Sequence, residues 1–102
     1  MSLKKQYLKT KPVCKVTFRL PAEAAENANS VSLVGDFYDW DPSKTPMKKL
    51  KNGSYKAVLD LDPDQNYEFR YLINGDEWEN DWEADDYVGN PYGAGENSVV
   101  SV

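Results

Sequence analysis

Histidine is absent from this chain of 102 residues, and Cys14 is its only cysteine. The first absence removes the commonest metal ligand and general base. The second rules out an intrachain disulfide and a paired-cysteine zinc site. A single thiol fits a soluble, reducing compartment, so a cytoplasmic location is expected. No apolar run reaches the length of a signal-peptide core or a membrane span, and no membrane partner is expected. A glycine-rich phosphate loop behind a strand is missing as well. Length is scarce too: the chain suffices for one modest core but not for a catalytic barrel of roughly 250 residues, which excludes a complete large enzyme.

What is present describes a folded domain. Hydrophobic residues make up 40%, with seven Tyr and three Trp, enough apolar surface to offset the entropy of ordering. The net charge of -5 is unevenly placed, because residues 76–86, DEWENDWEADD, hold seven of the 17 acids and no base. Binding of nucleic acid is therefore not expected. Residues 1–19 are the reverse, with Lys4, Lys5, Lys9, Lys11, Lys15 and Arg19 and no acid. Residues 1–12 read as a flexible basic arm ahead of a domain over 13–102. The arm is either a solvated tail or a contact for a phosphate-rich partner.

From residue 13 the pattern has period two. Cys14, Val16, Phe18 and Leu20 alternate with Lys15, Thr17 and Arg19, which describes a half-buried strand. Ser30–Val34 is a second strand, and AEAAENA before it is too short and too poor in apolar residues for a packed helix. Met47–Leu50 pairs briefly ahead of Asn52-Gly53, a strong hairpin signal. Ser54–Leu61 returns with Tyr55, Ala57, Leu59 and Leu61 on one face. Tyr67–Ile73 puts Tyr67, Phe69, Tyr71 and Ile73 on one face and Glu68, Arg70 and Leu72 on the other, closing at Asn74-Gly75. Asn97–Val102 is the last strand. Six or seven short strands without a convincing helix predict an all-β, immunoglobulin-like antiparallel sandwich.

Catalytic and metal chemistry find little support. The abundant carboxylates read as solvated loop acids rather than a glycosidase pair. Asp60, Asp62 and Asp64 have the alternation of a calcium loop, but Gln65 stands where that loop needs glycine and Tyr71 where it needs a bidentate Glu. No cofactor and no metal are expected, and the chain reads as a non-enzyme.

The aromatic loops ask for a different explanation. GDFYDW, residues 35–40, packs three rings and two carboxylates into a turn that needs none of them. Trp40, Trp78 and Trp82 all fall in expected loops. An indole face suits the C–H face of a pyranose, and neighbouring amides, carboxylates and guanidinium groups suit its hydroxyls, so these loops describe a sugar platform. The alternative is that the rings cap an open end of the sandwich. Phe37, directly after its strand, is expected to fold back into the core.

The ordered blocks VSLVGDFYDW, NGSY, YEFRYLINGDEW and NPYGAGENSVVSV resemble carbohydrate-binding module family 48, over about residues 13–102. That family includes the early-set domains ahead of the barrel in branching enzymes and isoamylases, and the glycogen-binding domain of the AMP-activated kinase beta subunit. The resemblance implies binding of alpha-1,4-glucan such as glycogen or starch, with Trp40 and Trp78 as stacking rings and Arg70 and Asn97 as hydroxyl partners. Tyr38 and Trp82 are further candidate contacts. Two other readings stand beside it: an interaction domain of the same fold without sugar affinity, and an accessory piece related to a branching enzyme.

Overall fold

The computed structural model describes residues 3–89 and 95–102. Two antiparallel sheets face each other. The first has strand order β1-β2-β5-β4, built from β1 (Leu3–Tyr7), β2 (Cys14–Leu20), β4 (Lys48–Lys49) and β5 (Tyr55–Leu61). The second has order β3-β6-β9-β8, built from β3 (Val31–Gly35), β6 (Asn66–Ile73), β8 (Asp86–Gly89) and β9 (Glu96–Ser101), with β7 (Glu77–Glu79) also paired to β6. This is the all-β, immunoglobulin-like sandwich that the alternation predicts.

The core lies between the sheets, where the longer strands turn alternate apolar residues inward. Val16, Phe18 and Leu20 of β2 meet Phe69, Tyr71 and Ile73 of β6, with Val31, Leu33 and Val100 filling the flanks. Phe18 and Phe69 touch edge to face across the two sheets at 5.1 Å between ring centres, a favoured aromatic geometry. Phe37 is half-buried against this cluster, 5.7 Å from Phe18 and 6.1 Å from Tyr67, as its position after the strand implies. Cys14 is fully buried on β2 and sits opposite Tyr7 and Leu61.

The expected flexible arm is a correction. Residues 3–7 pair along their whole length with β2, Leu3 opposite Phe18 and Tyr7 opposite Cys14. Leu3 is buried in the core cluster, and the lysines that made the segment look like a tail instead suit a solvent-facing edge strand. Lys5 adds an ion pair with Asp85 at 2.7 Å, which ties the first sheet's edge to the turn before β8. On the far side, residues 45–49 cross from sheet to sheet. The Leu33 N–H donates to the Thr45 carbonyl and the Met47 N–H to the Val31 carbonyl, before Lys48 and Lys49 join β5.

Turn chemistry follows the sequence. Gly53 takes φ +90 in the β4–β5 hairpin, and Asn52 Oδ1 accepts from the backbone and hydroxyl of Ser54. Asn74 and Gly75 both have positive φ, +55 and +78, as a type I′ turn requires. The Asn74 side chain also accepts from the N–H groups of Asn29 and Ser30 and donates to the Asn27 carbonyl, so this turn anchors the loop ahead of β3. AEAAENA supplies a single 3-10 turn over Ala22–Ala25, not a packed helix. Among the described residues the strands number nine, more than the six or seven expected. The additional β7 and β8 are short and acidic or polar, and β1 hid in the presumed arm.

Candidate functional site

Strand alternation puts Tyr71 and Ile73 of β6 into the core and leaves Glu68, Arg70 and Leu72 on the outer face of the five-stranded sheet. Trp78 on β7 stands opposite Leu72 on that outer face and is 48% exposed. The β6–β9 register, with Phe69 opposite Ser98, carries on to place Arg70 beside Asn97. Arg70, Trp78 and Asn97 therefore share one face.

The two polar members form the floor of that face rather than its rim. Arg70 is only 9% exposed and Asn97 only 4%. The guanidinium donates through Nε to the Glu96 carbonyl at 2.9 Å, and also through one terminal nitrogen, while Gly95 passes over it. Asn97 Nδ2 donates to Glu68 Oε1 at 3.0 Å. Glu68 and Arg70 share the outer face of β6, two residues apart. In the structure Asn97 takes the Glu68 carboxylate and Arg70 turns to the backbone entering β9. Both groups thereby fix the segment that the face is built on.

Trp40 reaches the site by a different route. It follows β3, which flanks β6 on the side away from β7, so its loop and Trp78 stand on opposite sides of Arg70's strand. Asp39 and Trp40 both adopt left-handed backbone, φ +55 and +60, an uncommon state for residues with a Cβ. Three bonds hold it: the Trp40 N–H donates to the Gly35 carbonyl at 2.9 Å, its indole N–H donates to Asp36 Oδ1 at 2.9 Å, and Asp36 Oδ2 accepts the Glu68 N–H at 2.9 Å. The ring is thus tied to the sheet through one carboxylate, and its faces are left for packing or stacking. Tyr38 stands 46% exposed on the same loop, edge-on to Phe37. Further along, Asp41 Oδ1 accepts the hydroxyl and N–H of Ser43, and the hydroxyl bond, then the backbone bond, hold this carboxyl below its ordinary value.

One residue that organises the site was not singled out by the sequence reading. Asp81, in the middle of the acidic stretch, is 2% exposed. Its Oδ2 accepts the Tyr71 hydroxyl at 2.7 Å, its Oδ1 accepts the Glu83 N–H, its N–H donates to Ser98 Oγ and its carbonyl accepts the Tyr87 hydroxyl. Ser98 Oγ in turn donates to Asn80, whose Nδ2 donates to the Glu96 carbonyl that also receives Arg70. The stretch is therefore a folded turn around a buried carboxylate, with Trp82 projecting from it at 54% exposure. Burial first, then the adjacent Asp81 charge, pushes the Tyr71 phenol well above its ordinary value. A signal existed in Asp81-Trp82-Glu83, an aspartate two residues before a turn N–H, but the surrounding acids masked it.

Among the described residues no group of three or more acids, cysteines or histidines is placed to hold a metal ion. No described helix is long and apolar enough to cross a membrane. Of the block NPYGAGENSVVSV, residues 90–94 lie outside the described residues.

Residues 9–93 match the family described as carbohydrate-binding module 48 (isoamylase N-terminal domain). The 1,4-alpha-glucan branching enzyme GlgB of Aquifex aeolicus (strain VF5) is 37% identical over 59 residues, which cover 56% of this chain and 9% of that enzyme. The chain thus spans a small part of that relative's length.

Proposed function

The chain belongs to the carbohydrate-binding module 48 family, and from that premise we propose that it is a non-catalytic module that binds alpha-1,4-glucan on the outer face of its five-stranded sheet. Trp78 supplies the exposed stacking surface and Trp40 a second ring on the other side of β6. Arg70 and Asn97 form the polar floor, and Tyr38 and Trp82 extend the rim. The observation that carries this reading is Trp78, a large indole left half in water opposite Leu72, on the same outer face of the sheet as the ordered polar groups of Arg70 and Asn97. Stacking with a few hydrogen bonds gives weak affinity, with a dissociation constant between about 10 micromolar and a few millimolar for a short maltooligosaccharide.

The deciding experiment is retention on insoluble starch or glycogen against a cellulose control, followed by heteronuclear NMR with maltoheptaose. Retention with shifts at the Trp40 and Trp78 indoles supports the proposal. Incubation with amylose or glycogen is expected to give no new reducing ends and no change in branching.

A second reading, an interaction domain of the same fold, gains from the burial of Arg70 and Asn97, whose hydrogen bonds are used inside the protein. It is favoured if saturating maltoheptaose moves neither indole.

A further inference from the structure

We propose that the outer face of the four-stranded sheet docks onto the acidic end of a second copy of this chain, in a reciprocal, two-fold pair. This surface lies on the opposite sheet from the glucan face and stands independently of that reading.

The register builds a row of like charge. Arg19 of β2 is directly opposite Lys56 of β5, and Lys56 is directly opposite Lys48 of β4. Lys4 and Lys15 extend the same outward face, on which Asp60, opposite Lys15, is an isolated acid. Like charges at facing cross-strand positions destabilise a sheet. Among the described residues, Arg19, Lys48 and Lys56 have no carboxylate within ion-pair distance to relieve them. The next row carries Val58, an aliphatic side chain left 42% exposed opposite Thr17. A stable fold needs neither feature, and a flat face with a cationic row beside an apolar spot fits an acidic protein surface.

The chain carries that complement itself. A shallow recess of about 150 Å³ is walled by Glu23, Glu26 and Glu77, with Asp76 next in sequence. None of these carboxylates has a cation within ion-pair distance among the described residues. The turn Ala22–Ala25 begins three positions after Arg19, and Ala22 lies against Gly53 at the tip of the β4–β5 hairpin. The cationic row and the acidic recess therefore occupy one end of the sandwich. Neighbouring patches of opposite sign are self-complementary about a two-fold axis, so the row of each copy meets the recess of the other. Two copies, each with net charge -5, repel at long range. The contact is accordingly weak and sensitive to salt.

Sedimentation velocity of the full chain over a rising concentration series tests this. Association is expected in about 20 mM salt and should weaken by about tenfold or more in about 300 mM salt, where the screening length is much shorter. Arg19→Glu with Lys56→Glu makes both patches acidic, and Glu23→Lys with Glu77→Lys makes both basic. Each double variant alone should sediment as a monomer, and an equimolar mixture should restore a dimer and stop there. Circular dichroism checks that both variants fold, and the salt dependence of the unaltered chain needs no variant. A chain that stays monomeric at every concentration in low salt overturns the proposal. So does a mixture that fails to associate, or a face that captures heparin or duplex DNA while the chain itself remains monomeric.

Discussion

The Tyr71 hydroxyl donates to Asp81 Oδ2 at 2.7 Å inside the domain, joining a core strand to the acidic turn that carries Trp82. A buried carboxylate is tolerated only where hydrogen bonds replace its hydration. Removing the hydroxyl in Tyr71→Phe leaves an acceptor without its donor and should cost about 1–3 kcal/mol in chemical denaturation. It should also change the pH profile. The folded state holds the phenol protonated well above its usual range, whereas the unfolded chain ionises it near its ordinary value. The unfolded state therefore binds fewer protons once the pH exceeds that ordinary value, and stability falls as pH rises. Tyr71→Phe should show a shallower alkaline loss of melting temperature than the unaltered protein. An identical slope in both would mean that this phenol is not the group responsible.

Trp78→Ala should separate binding from folding. The ring is half-exposed and lies outside the core cluster, so its loss should move the melting temperature by only a few degrees. Loss of a stacking face and its buried area should weaken maltoheptaose binding by about 1–3 kcal/mol by calorimetry. Trp40→Ala should lose affinity to a similar degree and somewhat more stability, because its indole N–H and left-handed backbone are tied to Asp36 and Gly35. If both variants unfold, the rings are loop packing.

The sandwich was legible because alternation is a strong signal where one face is buried, as in Cys14–Leu20 and Tyr67–Ile73. The candidate site was legible only in part. Arg70 could be placed on the outer face with Glu68 and Leu72 from period two alone, whereas Trp78, expected in a loop, lies on β7 opposite Leu72. Three facts had no local signature. That Arg70 is buried depends on the chain passing over it at Gly95 and Glu96, and that Asn97 turns to Glu68 depends on the β6–β9 pairing, both tertiary matters. That Asp81 is an internal hub depends on Tyr71, Ser98 and Tyr87 converging from three strands. The basic N-terminal segment misled for a related reason, because lysines on an edge strand and lysines on a tail look alike in one sequence.

Gly35 ends β3 in extended backbone, so its need for glycine is steric rather than conformational. A Cβ there would lie 2.6 Å from the Glu68 carbonyl oxygen, 2.8 Å from the Phe37 ring and 2.9 Å from the Phe69 Cβ. Two of these neighbours are rigidly placed in β6, so Gly35→Ala should cost about 1–3 kcal/mol by overpacking. Phe37→Ala removes a ring that packs on Phe18 and Tyr67 and should cost about 3 kcal/mol, less if the exposed part of the site collapses. Urea titration of both variants checks this, and a neutral Gly35→Ala would show that β3 shifts away from β6 at little cost.

The first strand offers the sharpest contrast between the sequence expectation and the structure. As a tail, residues 3–7 would tolerate any change. As β1 they contribute Leu3 to the core and cover one edge of β2. Leu3→Ala should then cost about 2–3 kcal/mol, since a buried leucine loses its methyl groups and leaves a cavity that an edge strand closes only in part. Lys5→Ala should cost under about 1 kcal/mol, because its ion pair with Asp85 is partly solvated on both sides. Deleting residues 1–7 should be worse than either, exposing the backbone edge of β2 and promoting aggregation on heating. Denaturation midpoints rank the three, with light scattering for the deletion. If Leu3→Ala and the deletion both match the unaltered chain, residues 3–7 do not hold their place in the sheet in solution.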